Sequence, residues 1–387
     1  MSASAEFTAV DGRKLEIVTS EARLTALAPA WDTLWRQADG LVFQSHGWIN
    51  AWWRTTPGRD QRGLLIGLVW NGENLEAVLP FATIKRRGIR ILEWAAKEHS
   101  DYGDILVAPG WSREAAAALW RAIAAAGRFD MAYLNRLVPE AVARQILTGD
   151  NAALRLRPNH RSEINYRVSG SWNRGALWFE QQSKKTRQNY RRGRKFMEES
   201  GEVRFRLMSP EEPLEPVLLR VAALKRKWLE RHGHASDLFD EGSPALAALV
   251  GVMAKLGILR VFLLECGDSV VAVSINLVQR DRMMAFVTTY DPDHERASPG
   301  MVLMMDYIQW SIDQGLSMVD FLCGGEDFKR RFATQAVTLD SVSGARTLLG
   351  RLAVLADGAQ HAIRSRRAPA QAADEPEAAG EPLPSRR

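Results

Sequence analysis

The sequence predicts an α/β (α+β) protein of two related halves, each a mixed, mainly antiparallel sheet flanked by helices. Three observations carry that prediction. Between residues 258 and 329, three apolar strands follow one another closely. They lead into a Ser-Pro-Gly turn, an apolar helix, a further strand and a Gly-Gly-Glu-Asp-Phe-Lys loop. The hairpin that opens this series has a counterpart 195 residues earlier, where Gly72-Glu73-Asn74-Leu75-Glu76 aligns with Gly267-Asp268-Ser269-Val270-Val271. Finally, 387 residues of which 46% are hydrophobic exceed one ordinary domain and suffice for two cores.

In chain order, a short strand at 15–18 precedes a helix whose sticky face is Leu24, Leu27, Trp31, Leu34, Trp35 and Ala38, spaced by threes and fours. An aromatic segment with Phe43, Trp48, Trp52 and Trp53 follows. The first meander is 64–70, a turn at Asn71-Gly72, 74–84, the basic turn 85–88, and 89–94. Helix 113–126 and a strand near 129–134 close this half, expected to span 1–155. A strand and connector over 155–170, a basic helix over 175–199 and a helix over 211–231 lead into the second meander: 258–265, 269–278 and 283–290. This second half is expected over 156–360. The Ala-, Pro- and Glu-rich end, 365–387, reads as a disordered tail.

Composition narrows the function classes. Fifty-one Lys and Arg against 46 Asp and Glu leave a formal charge of only +5. The excess is concentrated between Lys184 and Lys195, a stretch with no acid. Such a run is a solvated helix face, or a contact for nucleic acid, an acidic membrane or an anionic substrate. Two cysteines, Cys266 and Cys323, build no disulfide framework and imply a reducing compartment. The N-terminus lacks a signal-peptide pattern, and no apolar run approaches the ~20 residues of a membrane span. A cytoplasmic protein is therefore expected. His232 and His234 lack companion cysteines for zinc, so no metal site is expected. No serine sits in a nucleophile elbow, and no Walker loop occurs.

The chemistry concentrates after Tyr290. Pro299 and Gly300 can open a helix, whose first free N–H groups form an anion site. Ser298 and Met301 flank that opening. The strand before Gly324-Gly325 holds Asp320, costly in an apolar strand unless paired or functional. Glu326 and Lys329 follow on a short basic helix, either as dipole-favoured and solvated charges or as working groups.

The stretches KKTRQNYRRGRKF (184–196), LKRKWLERHG (224–233), SPGMVL (298–303) and DFLCGGEDFKRRF (320–332) resemble the acetyltransferase domain of the CelD-type family in the GNAT superfamily. FQSHGWINAWW (43–53) and HSDYGDILVAPG (99–110) extend the likeness into the first half, and the Fem-type peptidyltransferases are similar. The resemblance implies two tandem GNAT-like domains, the second catalytic and the first not. It implies transfer of an acetyl or longer acyl group from acyl-CoA to an amine on an amino sugar or a polysaccharide or cell-envelope precursor. Under it, Tyr290, Ser298, Gly300 and Met301 bind the donor. Lys184, Arg187, Gly324 and Gly325 bind acceptor, and Glu326, Asp320 and Lys329 carry the catalysis. The acceptor would be a small molecule, a glycan or a lipid-linked compound, with the basic helix offered to a membrane surface. The Fem-type alternative takes an aminoacyl-tRNA as donor; a non-catalytic scaffold in polysaccharide assembly is the reading from outside enzymology. The family pattern often has a tyrosine just before the lysine, where this chain has Phe328.

Overall fold

Alternating apolar strands joined by tight turns meet every requirement for long antiparallel ladders. In the computed structural model, which describes residues 4–149, 154–324 and 326–367, they form one continuous mixed sheet of 15 strands. The first meander is Arg62–Asn71, Asn74–Arg86 and Ile89–Trp94; the second is Leu259–Cys266, Ser269–Gln279 and Arg282–Tyr290. Each is followed by a helix, Arg113–Ala125 or Pro299–Asp313, and then by a strand parallel to the third of its meander, Met131–Leu137 or Met318–Cys323. The same order of elements therefore occurs twice.

The repeat extends to backbone detail. Arg136 and Leu322, each the penultimate residue of its strand, both adopt left-handed φ, +60° and +57°. At both places the strand carries one extra residue against its antiparallel neighbour. Leu134 and Leu137 face Val342 and Asp340, while Asp320 and Cys323 face Arg167 and Asn165. A left-handed conformation is costly for a residue with a Cβ, and here tertiary pairing maintains it twice.

Strand Gln335–Ala345 joins the halves. It pairs with Met131–Leu137 on one side and Glu163–Ser169 on the other, so the chain returns from the second half to complete the sheet of the first. On one face of the sheet, helix His46–Thr55 packs on helix Ala245–Lys255, with Gly47 against Val252, and a single core spans both halves. Helix Pro299–Asp313 covers the other face of the second half. Its Val302, Leu303, Met305 and Ile308 are fully buried, as its apolar circumference predicted.

Several boundaries differ from expectation for identifiable reasons. The helix expected over 24–38 is two, Glu21–Ala26 and Ala28–Gln37, because Pro29 restarts it. The helix expected over 175–199 divides into Gly175–Gln181 and Lys184–Glu198, with Ser183 capping the second through its side chain. The helix expected from 211 begins at Leu214, after Pro213. Helix Leu348–Arg367 runs into the expected tail, and the rest of that tail lies outside the described residues.

Candidate functional site

Strands Arg282–Tyr290 and Met318–Cys323 pair only from Arg282↔Met318 to Met284↔Asp320. Beyond that point they separate. The cause is visible in the register with Ser269–Gln279: Ile275 faces Val287 and Asn276 faces Ala285, so Phe286 is an extra residue that bends its strand. Between the separated strands lies a cavity of about 560 Å³, within the usual range of about 300–1,000 Å³ for ligand sites. Residues 285–290 form one wall, and Phe321, Leu322 and Cys323 form another.

The helix beginning at Pro299 points its leading end at this cavity. Ser298, at φ +51°, makes no side-chain cap, and Ser298, Gly300, Met301 and Met304 all line the space. The Met301 and Val302 N–H groups donate to the Ser298 carbonyl at 3.0 and 3.1 Å. Pro299 has no N–H. The Gly300 N–H therefore remains as the open donor at the positive end of the helix dipole, without a partner among the described residues. The Tyr290 ring lies against Gly300, where an added Cβ would meet it at 3.0 Å. The Thr289 hydroxyl, on the wall strand, is buried with no partner among the described residues.

Of the expected site residues, Tyr290, Ser298, Gly300, Met301, Glu326 and Lys329 line the cavity together. The Lys329 ammonium donates to the Cys323 carbonyl at 2.6 Å and stands 3.0 Å from the Glu326 carboxylate. Both side chains fold around Gly324, which sits at φ +127° where a Cβ would strike them. Glycine is required there by backbone angle and by space. Gly325 lies outside the described residues.

Asp320 does not line the cavity, which corrects its expected role as proton acceptor. It is fully buried and accepts from Tyr102 Oη at 2.5 Å, Asn165 Nδ2 at 2.7 Å and the Leu322 N–H at 2.8 Å, with Arg167 3.7 Å away. A carboxylate so fully satisfied clamps the bulge and links the halves. Lys184 and Arg187 do not line the cavity either. Their helix instead buttresses the Pro299 helix: Gly193 lies against the Ala297 carbonyl, and Tyr190 and Arg194 both bond Asp306. Lys184, Lys185, Arg191, Arg192 and Lys195 face solvent.

Charged groups that sequence reasoning did not single out complete the walls. Glu98, His99, Asp101 and Arg136 come from the first half, and Lys225 from helix Leu214–His232. Burial raises the Asp101 carboxyl pKa against the opposing charge of Arg136. Lys225 makes no ion pair among the described residues and lies 4.4 Å over the Trp228 ring. Burial lowers its pKa, with Glu326 partly opposing. Cys323 is an inert wall, because burial pushes its thiol far above the range where a thiolate forms. The stretch 99–110, part of the family resemblance, holds two of these wall residues, His99 and Asp101.

Comparison with known proteins agrees with this geometry. Residues 184–330 match the family described as "Acetyltransferase (GNAT) domain". The C-terminal domain (DUF2156) of a putative lysylphosphatidylglycerol synthetase from Agrobacterium fabrum has the same fold, with TM-score 0.52 and 13% identity, over 87% of this chain and 95% of that one. The L-PGS structure from Bacillus licheniformis superposes with TM-score 0.53 at 11% identity, covering 86% of this chain and 95% of its own. FemX gives 0.52 at 9% identity, with 83% and 95% covered. No curated protein matches the chain in sequence. The chain carries a GNAT-type acetyltransferase domain and is an acyltransferase. No helix among the described residues is long and apolar enough to cross a membrane.

Proposed function

We propose that this acyltransferase moves an acetyl or longer acyl group from acyl-CoA to an amine, carried by an amino sugar or a polysaccharide or cell-envelope precursor as in CelD-type proteins. The observation that carries the reading is the opened strand pair with an uncapped helix end at its rim. A coenzyme's phosphates suit the Gly300 N–H and the helix dipole, since anions are favoured there. The pantetheine arm, an extended chain of amides, suits the unpaired strand edge at 285–290. In the reaction the acceptor nitrogen attacks the thioester carbonyl, the C–S bond breaks, and coenzyme A leaves as thiol once the amine proton is surrendered. No covalent acyl-enzyme is required. Lys329, anchored on the Cys323 carbonyl beside Glu326, balances charge developing near the carbonyl. The second half, 156–360, would carry the chemistry and the first, 1–155, would wall the cleft, in a protein working in the cytoplasm.

The test is a thermal-shift titration with acetyl-CoA and longer acyl-CoA thioesters. Wild type should gain melting temperature, and Gly300→Glu, which places a carboxylate at the anion position, should gain none. No shift with any thioester in wild type sinks the donor assignment. A second reading, transfer from aminoacyl-tRNA, draws on the exposed basic face of helix Lys184–Glu198, suited to phosphates. A shift with aminoacyl-tRNA alone would favour it. A shift with neither donor would favour the scaffold reading.

A further inference from the structure

We infer that His99, supplied by the first half, is the group that takes the proton from the attacking amine; the inference rests on the acyltransferase reading above. The run 99–104 of the first half reaches the cavity and the strand Met318–Cys323, and five of its six residues have evident structural work. Ser100 accepts the Trp48 indole N–H on its hydroxyl at 3.0 Å and Arg136 on its carbonyl at 2.6 Å. Asp101 accepts the Cys323 N–H at 3.1 Å, and Tyr102 donates to Asp320. Gly103 lies where a Cβ would overlap Trp94 and the Asn135 carbonyl. Asp104 accepts from the Ile105, Val142 and Ala143 N–H groups at 2.8, 2.9 and 2.7 Å. His99 alone has no such work. Its backbone N–H is tied to the Ala96 carbonyl at 2.9 Å, while its ring lines the cavity and bonds to nothing among the described residues.

The alternatives in the same cavity are committed elsewhere. Glu98 pairs with Arg62, Asp101 holds the Cys323 backbone, and Glu326 pairs with Lys329. Glu295 is exposed at the rim. Around the imidazole stand Glu98 and Asp237, which favour its charged form, and Arg62, which disfavours it. Arg136, Lys225 and Lys329 add positive charge to the cavity walls, and burial outweighs the acids. The net shift is downward, so the ring is neutral near pH 7 and free to accept a proton. The step balances: the nitrogen forms the amide bond as the C–S bond breaks, the nitrogen's proton passes to His99, and His99 gives it up, through solvent, to the departing thiolate.

The experiment measures thiol release from acetyl-CoA with a panel of primary amines, including glucosamine and free amino acids, for wild type, His99→Gln and His99→Ala. Both variants should lose tenfold or more in kcat with the best wild-type amine. Each should keep the melting-temperature gain from acetyl-CoA. Wild-type activity should fall as pH drops through the imidazole's titration, and the variants should lack that limb. Unchanged rates or an unchanged acid limb in His99→Gln overturn the assignment. A wild type that gains no melting temperature from acetyl-CoA fails at the donor instead and takes this inference with it. A wild type that gains it, yet releases no thiol with any amine, overturns amine transfer and the role of His99 together.

Discussion

The two halves share one plan and treat its central gap oppositely. In the second half the parallel strands diverge at the Phe286 bulge and leave a cavity. In the first, the corresponding third strand keeps an unbroken register with its neighbour from Phe81↔Trp94 to Arg86↔Ile89. Its gap is closed by the chain itself. The Trp94 indole donates to the Asn135 carbonyl at 3.0 Å, and the Gly103 N–H donates to the Arg136 carbonyl at 3.0 Å. The helix ends differ in the same sense. Ser112 caps its helix by accepting from the Ala115 N–H, and its own N–H is held by Glu76, whereas Ser298 caps nothing. One duplicated frame thus serves as a filled support on one side and an open site on the other. Filled hydrogen-bond capacity stabilises a fold, and unfilled capacity facing a cavity is what a ligand can use.

That contrast can be broken or sharpened by experiment. Trp94→Ala should cost most, about 3–5 kcal/mol of stability as expected for a buried tryptophan, because it empties the filled gap. Chemical denaturation would measure it, and a loss under about 1 kcal/mol would show that Trp94 is no plug. In the open half, Lys329→Ala and Glu326→Gln should each lower turnover about tenfold or more, equivalent to about 1.4 kcal/mol of barrier, with the fold intact. Wild-type rates in both would remove the pair from the chemistry. Ser112→Ala should cost about 1 kcal/mol, the usual worth of a lost cap, and leave any acyl-CoA melting shift untouched. Were that shift to vanish, the first half would be part of the donor site.

The smallest effect concerns one carboxyl in each half. Burial raises Asp104 and Asp306 to about 6, each against opposing hydrogen bonds. Between that value and the ordinary carboxyl pKa of about 4, the folded form holds a proton that the unfolded chain has released. Their share of stability therefore grows as pH falls from above 6 toward 4. Asp306→Asn should flatten the rise in melting temperature between pH 7.5 and 5, leaving the part due to Asp104. An unaltered slope would mean Asp306 does not titrate in that window.

Much of this was legible in the chain. Apolar runs and Asn-Gly or Gly-Asp turns marked both meanders, and Pro299-Gly300 marked the helix whose end meets the cavity. Such signals are local: a turn or a helix start depends on residues within a few positions. The constant spacing from Gly72 to Gly267 also disclosed the repeat. Asp320 misled because a lone carboxylate in an apolar strand looks the same in sequence whether it meets substrate or, as here, Tyr102 and Asn165. For Lys184 and Arg187 the charge run did not say which way their helix faces, and neither lines this cavity.

The sequence by itself determined the elements, their order and their duplication, since periodicity and turn chemistry act over short distances. Only the tertiary structure decided that Gln335–Ala345 closes the first half's sheet and that Phe286 opens the second. It alone brought His99, Asp101, Arg136 and Lys225 to the walls of one cavity. The closing strand and the shared cavity depend on contacts between residues more than a hundred positions apart, and the Phe286 bulge on a register shift within one hairpin; packing decides each, and no local pattern records the result.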